Sequence, residues 1–233
     1  MTHAETAYHG ELGEYFAAQA TDSIYNAHTD RPAMLELAGE VGGLRVLDLG
    51  CGGGHYAAEL LGRGAAEVVG VEGSESLLRV ARERLGGGAV LHRHDLEEPL
   101  GFLADRSFDL AVMALVYQHL DAREQLLAEL RRVLRPGAAL LISITHPTSD
   151  WRWLGGSYFA DERVDAPHHN GRMTVNYWRM PLERFIGEVL RAGFVLEELV
   201  EPRAAPGARG VDPERYEKTH TSPTFLAVRL RNP

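Results

Sequence analysis

Between residues 45 and 145 the sequence alternates short apolar runs with longer amphipathic stretches, and this alternation limits the possible folds more than any other feature. The apolar runs predict five strands, at residues 45–49, 68–72, 89–94, 108–114 and 138–145. Residues 56–63, 74–85 and 123–134 have the apolar spacing of helices. Strands that alternate with helices predict an α/β fold with a doubly wound, mostly parallel sheet. Ligands of such sheets bind at the carboxyl ends of the strands.

Length and charge restrict the class of protein further. The 233 residues suffice for one large α/β domain, and 24 basic against 33 acidic residues give a net charge of −9. An acidic chain disfavours nucleic acid as a partner. Cys51 is the only cysteine, so we expect neither an intramolecular disulfide nor a cysteine zinc site. Because no apolar run has the length of a membrane span and no secretory leader is evident, we expect a cytoplasmic protein without membrane contact.

The segments outside this core have a different character. Residues 15–38 have an amphipathic helical pattern that is interrupted near Asp22 and at Pro32. Residues 146–181 are rich in Trp, Tyr, His, Gly and Asp without a clear period, which is typical of a functional irregular segment. Residues 182–192 predict a helix, and residues 194–201 and 224–230 predict two terminal strands joined by a loop.

The turn after the first predicted strand is rich in glycine. Gly50, Gly52 and Gly54 follow Asp48, and glycines there let the chain turn sharply and let its backbone approach a ligand closely. The helix predicted from Tyr56 would present its amide-rich first turn to the same ligand. A tight turn without any ligand would also favour these glycines, so the loop alone does not decide between the two interpretations.

Acidic residues follow the next two strands. Glu72 ends the second strand, where a carboxylate can accept hydrogen bonds from both hydroxyls of a ribose. Asp95 follows the third strand and could accept a hydrogen bond from an adenine amino group. A dinucleotide-dependent dehydrogenase is the alternative, but its third glycine would fall at His55 and a second mononucleotide-binding half is not evident.

In these residues the chain resembles the class I, Rossmann-like S-adenosylmethionine-dependent methyltransferases of the bacterial small-molecule type. The Asp-x-Gly-x-Gly-x-Gly run, the two acids after strands two and three, and Leu134-Arg135-Pro136-Gly137 before strand five match the family pattern. The resemblance covers residues 44–145 and implies a C-terminal antiparallel hairpin beside the sheet. It implies S-adenosylmethionine as cofactor and S-adenosylhomocysteine as product. The cofactor residues that we expect on this basis are Tyr25, Arg31, Asp48, Gly50, Cys51, Gly52, Glu72, Gly73, Ser74, His94, Asp95, Leu96, Ala114 and Leu115.

The same resemblance suggests how a single methyltransferase domain would be divided. Residues 1–40 would form an N-terminal helical lid, residues 44–145 the cofactor-binding core, residues 146–190 an aromatic-rich substrate lid, and residues 194–231 the terminal strands. Within the first lid, Arg31 either pairs with the cofactor carboxylate through its guanidinium group or simply begins a helix on the surface.

Methyl transfer from a sulfonium is an in-line displacement, with the nucleophile about 3 Å from the methyl carbon. Positioning and exclusion of water supply much of the catalysis, and a base is needed only for a nucleophile that retains its proton. His146 follows the fifth strand, with its backbone restricted by Pro147, and is the first candidate for this base; His119 is the second. Either histidine could instead have a structural role, His119 supporting the cofactor loop and His146 positioning its own loop.

Aromatic residues of the irregular segment are expected to form the acceptor pocket, because they provide flat apolar walls for a planar molecule. Trp151, Tyr158, Tyr177 and Trp178 are the candidates, although ordinary packing within the lid would also explain them. The pair His168-His169 lacks a third ligand at a convincing spacing, so we expect no metal.

The sequence therefore predicts a methyltransferase that acts on O or N of a small, planar metabolite, as a monomer or a homodimer. A methyltransferase acting on a macromolecule is one alternative, but basic clustering or an Asn-Pro-Pro-Tyr motif after strand four would then be expected, where this chain has Ala114-Leu115-Val116-Tyr117. A protein that binds S-adenosylmethionine without catalysis is the other alternative.

Overall fold

The structure is a computed structural model that describes residues 8–168, 171 and 173–233. Its strands belong to two sheets. In chain order they are β1 Arg45–Leu49, β2 Glu67–Glu72, β3 Val90–Arg93, β4 Phe108–Ala114, β5 Leu134–Thr145, β6 Glu162–His168, β7 Met173–Arg179, β8 Val195–Val200 and β9 Phe225–Arg231.

The helices lie before, between and after these strands. They are α1 Gly10–Gln19, α2 Arg31–Ala38, α3 His55–Gly62, α4 Glu75–Leu85, α5 Arg123–Val133, α6 Pro147–Leu154, α7 Leu182–Arg191 and α8 Pro213–Thr221. A π-helical turn, Asn26–Asp30, precedes α2, and short 3-10 turns occupy Tyr117–His119 and Pro206–Gly210. Among the helices of the described residues, none is both long enough and apolar enough to cross a membrane.

The larger sheet has seven strands in the order β3-β2-β1-β4-β5-β9-β8. Strands β1 to β5 are parallel, and β9 runs antiparallel to both β5 and β8. This arrangement confirms the predicted Rossmann-like sheet with a C-terminal antiparallel pair. Strand β1 lies between β2 and β4, where the strand order reverses, and the carboxyl ends of strands at such a point form the ligand crevice.

Both faces of the sheet are covered, which explains why its central strands are mostly apolar. Val46 of β1 belongs to the hydrophobic core on one face, together with Met34 of α2 and Leu60 of α3. The next residue, Leu47, belongs to the core on the other face, together with Leu127 of α5. Because neighbouring side chains of a strand point to opposite faces, a strand buried on both sides requires a continuous apolar run.

Local sequence signals fix helix α4 beside the crevice. The hydroxyl of Ser74 accepts a hydrogen bond from the Leu77 amide at 3.3 Å, which is the usual way for serine to begin a helix. Leu77, Leu78 and Ala81 are buried, as expected for one apolar face at helical spacing. Ser74 is thereby held at the end of β2.

The segment 146–181 is more regular than its sequence suggested. It contains helix α6 and the hairpin of β6 and β7, in which Val164 pairs with Tyr177 and Ala166 with Val175. Ala166, Val175 and Tyr177 are buried in a small core of their own. The prediction of an irregular segment was therefore wrong. The connection between the terminal strands also contains a helix, α8, where a loop was predicted.

Candidate functional site

The loop after β1 has the backbone conformation that its glycines permit. Gly50, Gly52 and Gly54 have φ angles of 64°, 53° and 76°, a region that residues with a Cβ rarely adopt. At Gly50 an added Cβ would also lie 2.4 Å from a methyl carbon of Val116. Gly54 directly precedes helix α3. The loop therefore brings backbone amides and the start of a helix to the carboxyl end of β1.

The carboxylate of Glu72 joins this loop to the end of β2. Its Oε2 accepts a hydrogen bond from the Gly52 amide at 3.0 Å, and its Oε1 accepts one from the Ser74 amide at 2.8 Å. Burial raises the pKa of Glu72, and the two amides oppose that shift. Each carboxylate oxygen retains capacity for a further hydrogen bond. Glu72 is therefore held in place and can accept from a pair of hydroxyls.

A group of buried polar side chains lies next to the glycine loop. The Tyr56 hydroxyl donates to Asp30 Oδ2 at 2.5 Å, and Arg31 donates to the Ala20 carbonyl at 3.0 Å. Asp30 Oδ1, Arg31 Nε and Asp48 Oδ2 have no hydrogen-bond partner among the described residues. Because buried polar atoms are nearly always paired, the atoms of Asp30 and Arg31, which line the cleft, indicate where a ligand with both positive and negative groups would bind.

Burial also shifts the acidity of this group. It raises the pKa of Asp30 to about 6. It raises the pKa of Asp48 to about 7, with the charge of Glu72 as the second cause. Arg31 begins helix α2 and also lines the cleft, so the two interpretations of this residue do not exclude each other.

The raised pKa of Asp48 predicts how stability depends on pH. An unfolded aspartate has a pKa of about 3.9, so between about pH 4 and pH 7 the folded state binds more protons than the unfolded state, and the contribution of Asp48 to the free energy of unfolding falls as pH rises. The free energy of unfolding of the Asp48→Asn variant, measured relative to wild type, should therefore increase by up to about 4 kcal/mol as the pH rises across this range. Urea denaturation of the ligand-free protein at several pH values measures the difference, and a pH-independent difference would contradict the assignment.

The ends of β3 and β4 complete one rim of the site. His94, Asp95 and Leu96 follow β3 and line the cleft. Asp95 is exposed, and its Oδ1 accepts a hydrogen bond from the Glu97 amide at 3.1 Å. After β4, Leu115 has a φ of 57°, and its amide donates to the Ser143 carbonyl at 3.0 Å. This bond holds the turn after β4 against β5.

These elements surround one cleft of about 1780 Å³ at the carboxyl ends of the parallel strands. Ligand pockets commonly have about 300–1,000 Å³, so this cleft has room for a cofactor and a second molecule. The predicted cofactor residues that line it are Tyr25, Arg31, Gly50, Cys51, Gly52, Glu72, Gly73, Ser74, His94, Asp95, Leu96, Ala114 and Leu115. Asp48 is buried, with 1% of its surface exposed, and is not among the lining residues.

Aromatic rings form another part of the cleft wall. The ring of His119 lies 5.6 Å from that of Tyr8 and 6.2 Å from that of Tyr177, both edge to face. The Tyr177 hydroxyl donates to the buried Asp150 at 2.8 Å, which fixes the ring. Trp153 lines the cleft as well. Of these residues, the sequence placed Trp153 in the aromatic segment expected to cover the pocket, proposed His119 and Tyr177 for the site, and gave no indication of Tyr8. Tyr8 lies in no periodic pattern that would have indicated it.

The environment of His119 keeps its imidazole neutral. Burial lowers the pKa of His119 to about 4, and the charges of His168 and Arg163 act in the same direction. A neutral imidazole accepts a proton or a hydrogen bond at one ring nitrogen. Backbone hydrogen bonds at Asn176 and Leu115 oppose this lowering of the pKa, and His119 is neutral at physiological pH.

Three of the four aromatic residues predicted for the acceptor pocket do not line the cleft, and these predictions are corrected. The indole of Trp151 is 44% exposed and donates to the Gly156 carbonyl at 3.1 Å. The indole of Trp178 donates to Asp121 at 2.5 Å. The Tyr158 hydroxyl accepts a hydrogen bond at the start of α7. Trp151 and Tyr158 thus form hydrogen bonds within residues 146–190, whereas Trp178 binds to Asp121 of the core.

The expectation that His146 faces the crevice is also wrong. Its side chain caps the first turn of α6, where Nδ1 accepts from the Thr148 amide at 3.1 Å. Its Nε2 lies 3.1 Å from Glu201 Oε1. Burial lowers the pKa of His146, and the Glu201 carboxylate opposes that shift. Because both ring nitrogens have partners outside the cleft, we assign His146 a structural role.

This role predicts the behaviour of two variants. His146→Ala removes the helix cap and should lower the free energy of unfolding by about 1 kcal/mol, while turnover stays close to that of wild type. His146→Asn keeps a capping oxygen and should lose less stability. Thermal melting and initial rates measure the two effects. A large loss of turnover in both variants, without loss of stability, would restore His146 as a catalytic candidate.

Metal binding has no support in the described part of the chain, in which no group of three His, Cys, Asp or Glu side chains could hold an ion. His168 lines the cleft, and His169 lies outside the described residues. Cys51 is buried, and burial raises its pKa well above the ordinary value. Its sulfur therefore stays protonated and is a poor nucleophile.

The residues of this cleft fit S-adenosylmethionine. Glu72 and Asp95 have the carboxylates for its ribose hydroxyls and its adenine amino group. At the other end, the unpartnered atoms of Arg31 and of Asp30 match the carboxylate and the ammonium group of its methionine part. Gly50 leaves space where any Cβ would meet Val116. The ribose hydroxyls, the adenine amino group and the two charged ends of the methionine part thus each have a suitable residue in the cleft.

Comparison with known proteins leads to the same family. A family described as "Methyltransferase domain" matches residues 47–142. The crystal structure of an S-adenosylmethionine-dependent methyltransferase from Mesorhizobium loti has a TM-score of 0.71 and 25% identity, with 91% of this chain and 99% of that chain covered.

Two curated relatives have activities in their names. A ubiquinone biosynthesis O-methyltransferase from Hahella chejuensis is 35% identical over 50% of each protein. N-demethylindolmycin N-methyltransferase from Streptomyces griseus is 33% identical over 45% of each. The chain thus spans about half the length of these curated relatives.

The matched residues include β1, the glycine loop, β2 with Glu72, and β4, which are the elements that build the cleft. The family match, the similarity to a whole methyltransferase structure and the fit of the cofactor groups therefore agree. These findings support a class I, Rossmann-like S-adenosylmethionine-dependent methyltransferase.

Proposed function

We propose that this chain transfers the methyl group of S-adenosylmethionine to an oxygen or nitrogen atom of a small, planar metabolite. One observation carries the proposal: a single cleft connects the cofactor residues of the glycine loop and β2 with the aromatic wall of Tyr8, His119 and Tyr177. Aromatic rings offer flat apolar surfaces on which a planar acceptor can pack. The cleft is also large enough for an acceptor to bind beside the cofactor.

The cofactor, when bound, supplies an electrophilic methyl group on a sulfonium. The chain's own residues orient the two molecules and exclude water, which is a large part of catalysis for a displacement of this kind. Glu72 and Asp95 hold the adenosine end. The rings of Tyr8 and Tyr177 both contact His119 edge to face and would pack against the acceptor.

His119 is the proposed base, in place of His146. It lines the cleft and is neutral at physiological pH because burial lowers its pKa. It would accept the proton that an acceptor hydroxyl or amine loses as the methyl group arrives. An acceptor nitrogen that carries no proton would need only orientation, so the contribution of His119 depends on the atom that is methylated.

The names of the two relatives support both kinds of acceptor atom. One is an O-methyltransferase and the other an N-methyltransferase. Each matches only about half of this chain, and the lid elements α6, β6 and β7 lie outside the family match. Acceptor choice is therefore a property that this chain's own lid would determine.

Incubation with methyl-labelled S-adenosylmethionine and a panel of hydroxylated and amino-substituted aromatic compounds tests the proposal. We expect label in small-molecule products. Label in protein or RNA fractions of a cell extract would instead favour a macromolecular acceptor. Thermal stabilisation by the cofactor, together with no turnover on any compound or extract, would favour a binding protein without catalysis.

A further inference from the structure

The cleft extends between helices α6 and α8, where the ring of Tyr25, a predicted cofactor residue, contacts Phe225 and Arg215. Thr145, the last residue of β5, pairs with Phe225, the first residue of β9. Helix α6 begins directly after β5, and α8 ends shortly before β9. Both helices are therefore attached to the same end of the β5–β9 pair. Arg152 of α6 and Lys218 of α8 both line the cleft there.

The side chains of both cations are exposed. Neither has an ion-pair or hydrogen-bond partner in the part of the chain that the structure describes. Arg215, which lines the same end, differs because it pairs with Asp212 at 3.3 Å. Asp212 also accepts a hydrogen bond from the Arg215 amide at the start of α8. Two further acids line the cleft, the exposed Glu214, one helical turn before Lys218 in α8, and Asp22, which lies 2.8 Å from His28.

The two unpaired cations, Arg152 and Lys218, contrast with the rest of the molecule. The chain has a net charge of −9, which repels anions in general. Many of its arginines are paired with carboxylates, as in Arg179 with Glu162 at 2.6 Å. An anion that binds there best explains two unpaired cations in a ligand cleft, because charged groups of a binding site usually face groups of opposite charge on the ligand.

We propose that the methyl acceptor carries an anionic group, a carboxylate or a phosphate, and that Arg152 and Lys218 bind it at the α6–α8 end of the cleft. This inference rests on the proposed function, because it describes the acceptor of that reaction. The guanidinium of Arg152 can bind two anion oxygens at once, and the ammonium of Lys218 acts as a compact charge. The aromatic wall then receives the planar part of the same molecule.

Matched acceptors separate the anion from the planar ring. The panel contains hydroxy- and amino-substituted aromatic carboxylic acids, each with its primary amide, and aromatic phosphate monoesters, each with its parent alcohol. We expect the anionic member of a pair to be methylated with the higher kcat/KM. Carboxylates and phosphates are compared in the same assay, which identifies the preferred anion. Equal kcat/KM values for the charged and neutral members would overturn the proposal.

Charge variants test the two residues. Arg152→Glu and Lys218→Glu should each lower kcat/KM for the anionic acceptor by about 10- to 100-fold, the loss expected for one charged hydrogen bond. Most of this loss should be in KM, and the affinity for S-adenosylhomocysteine should not change. Lys218→Arg keeps the charge and should retain most of the activity. Arg191→Glu makes the same change of charge on α7, outside the cleft, and should have no effect.

A chemical measurement distinguishes failure of this inference from failure of the proposed function. Lys218 is the only lysine in the sequence, so an amine-reactive ester labels it as the one side-chain amine, and mass spectrometry follows the rate. We expect the aromatic acids, but not their amides, to slow this labelling in the complex with S-adenosylhomocysteine. If labelling is slowed but no compound is methylated, the anion site stands and the proposed reaction fails. If no acid slows labelling more than its amide, the anion site is wrong.

Discussion

The Gly50→Ala variant should lose at least about 30-fold in affinity for S-adenosylhomocysteine, as measured by calorimetric titration. Two costs add at this position. The φ of 64° costs an alanine about 1–2 kcal/mol. The new Cβ would lie 2.4 Å from a Val116 methyl carbon, and overpacking of this kind costs about 1–3 kcal/mol. The loop must move to relieve both, and it then no longer presents its amides to the cofactor.

Two further variants make this result specific. In the Gly50→Ala background, Val116→Ala removes the clash but not the backbone strain, so it should restore part of the lost affinity. Gly62→Ala is the matched control, because a Cβ there meets nothing within 4 Å and the residue lies in helix α3. It should bind like wild type. Wild-type affinity in Gly50→Ala itself would show that the loop does not hold the cofactor.

His119→Ala should lower kcat by about 100-fold for an acceptor that must lose a proton. General base catalysis contributes about 10²–10⁴-fold, and a base with a low pKa contributes at the lower end. The pKa of about 4 also predicts a pH–rate profile without an acidic limb between pH 6 and pH 8. The rate should fall only as the pH approaches about 4, where His119 becomes protonated.

The controls for His119 separate chemistry from structure. His146→Ala removes a histidine whose ring does not line the cleft, and it should keep its turnover. Added imidazole should restore part of the rate of His119→Ala, because it can enter the space that the side chain leaves. Turnover of His119→Ala within about twofold of wild type would mean that positioning alone drives the reaction.

The cofactor half of the site could be predicted from the sequence because its signals are local. Gly50 and Gly52 must be glycines for the turn that the backbone makes, and Glu72 follows an apolar run that could only be a buried strand. In a parallel sheet, the ends of neighbouring strands come together whatever the details of packing. The order of strands and loops therefore implied the proximity of residues such as Glu72 and Gly52, which form a hydrogen bond of 3.0 Å.

The acceptor half could not be predicted because contacts between distant segments decide it. Tyr177 faces the cleft and its neighbour Trp178 does not, and the register of β6 against β7 decides which of the two is buried. The alternation of Val175 and Tyr177 was the available signal, but Pro167 within β6 obscured the partner strand. Such a proline is tolerated in a two-stranded sheet because both strands are edges.

The role of His146 also depends on a contact with a distant segment. Its position after β5 was predicted correctly, but the direction of its side chain was not. The helix that begins at Pro147 requires a cap, and the imidazole supplies it by accepting from the Thr148 amide. Glu201, which binds the other ring nitrogen, follows β8, more than 50 residues later in the chain. No local pattern around residue 146 contains that partner.

The crystal structure of this chain with S-adenosylhomocysteine tests the central claim most directly. We predict that the ribose hydroxyls lie within about 3.2 Å of the Glu72 carboxylate, as hydrogen bonds require. The adenine should lie beside Asp95, and the carboxylate of the homocysteine part should lie beside Arg31. Binding elsewhere on the molecule, or a ribose more than about 5 Å from Glu72, beyond hydrogen-bond range, would contradict the assignment of this cleft as the cofactor site.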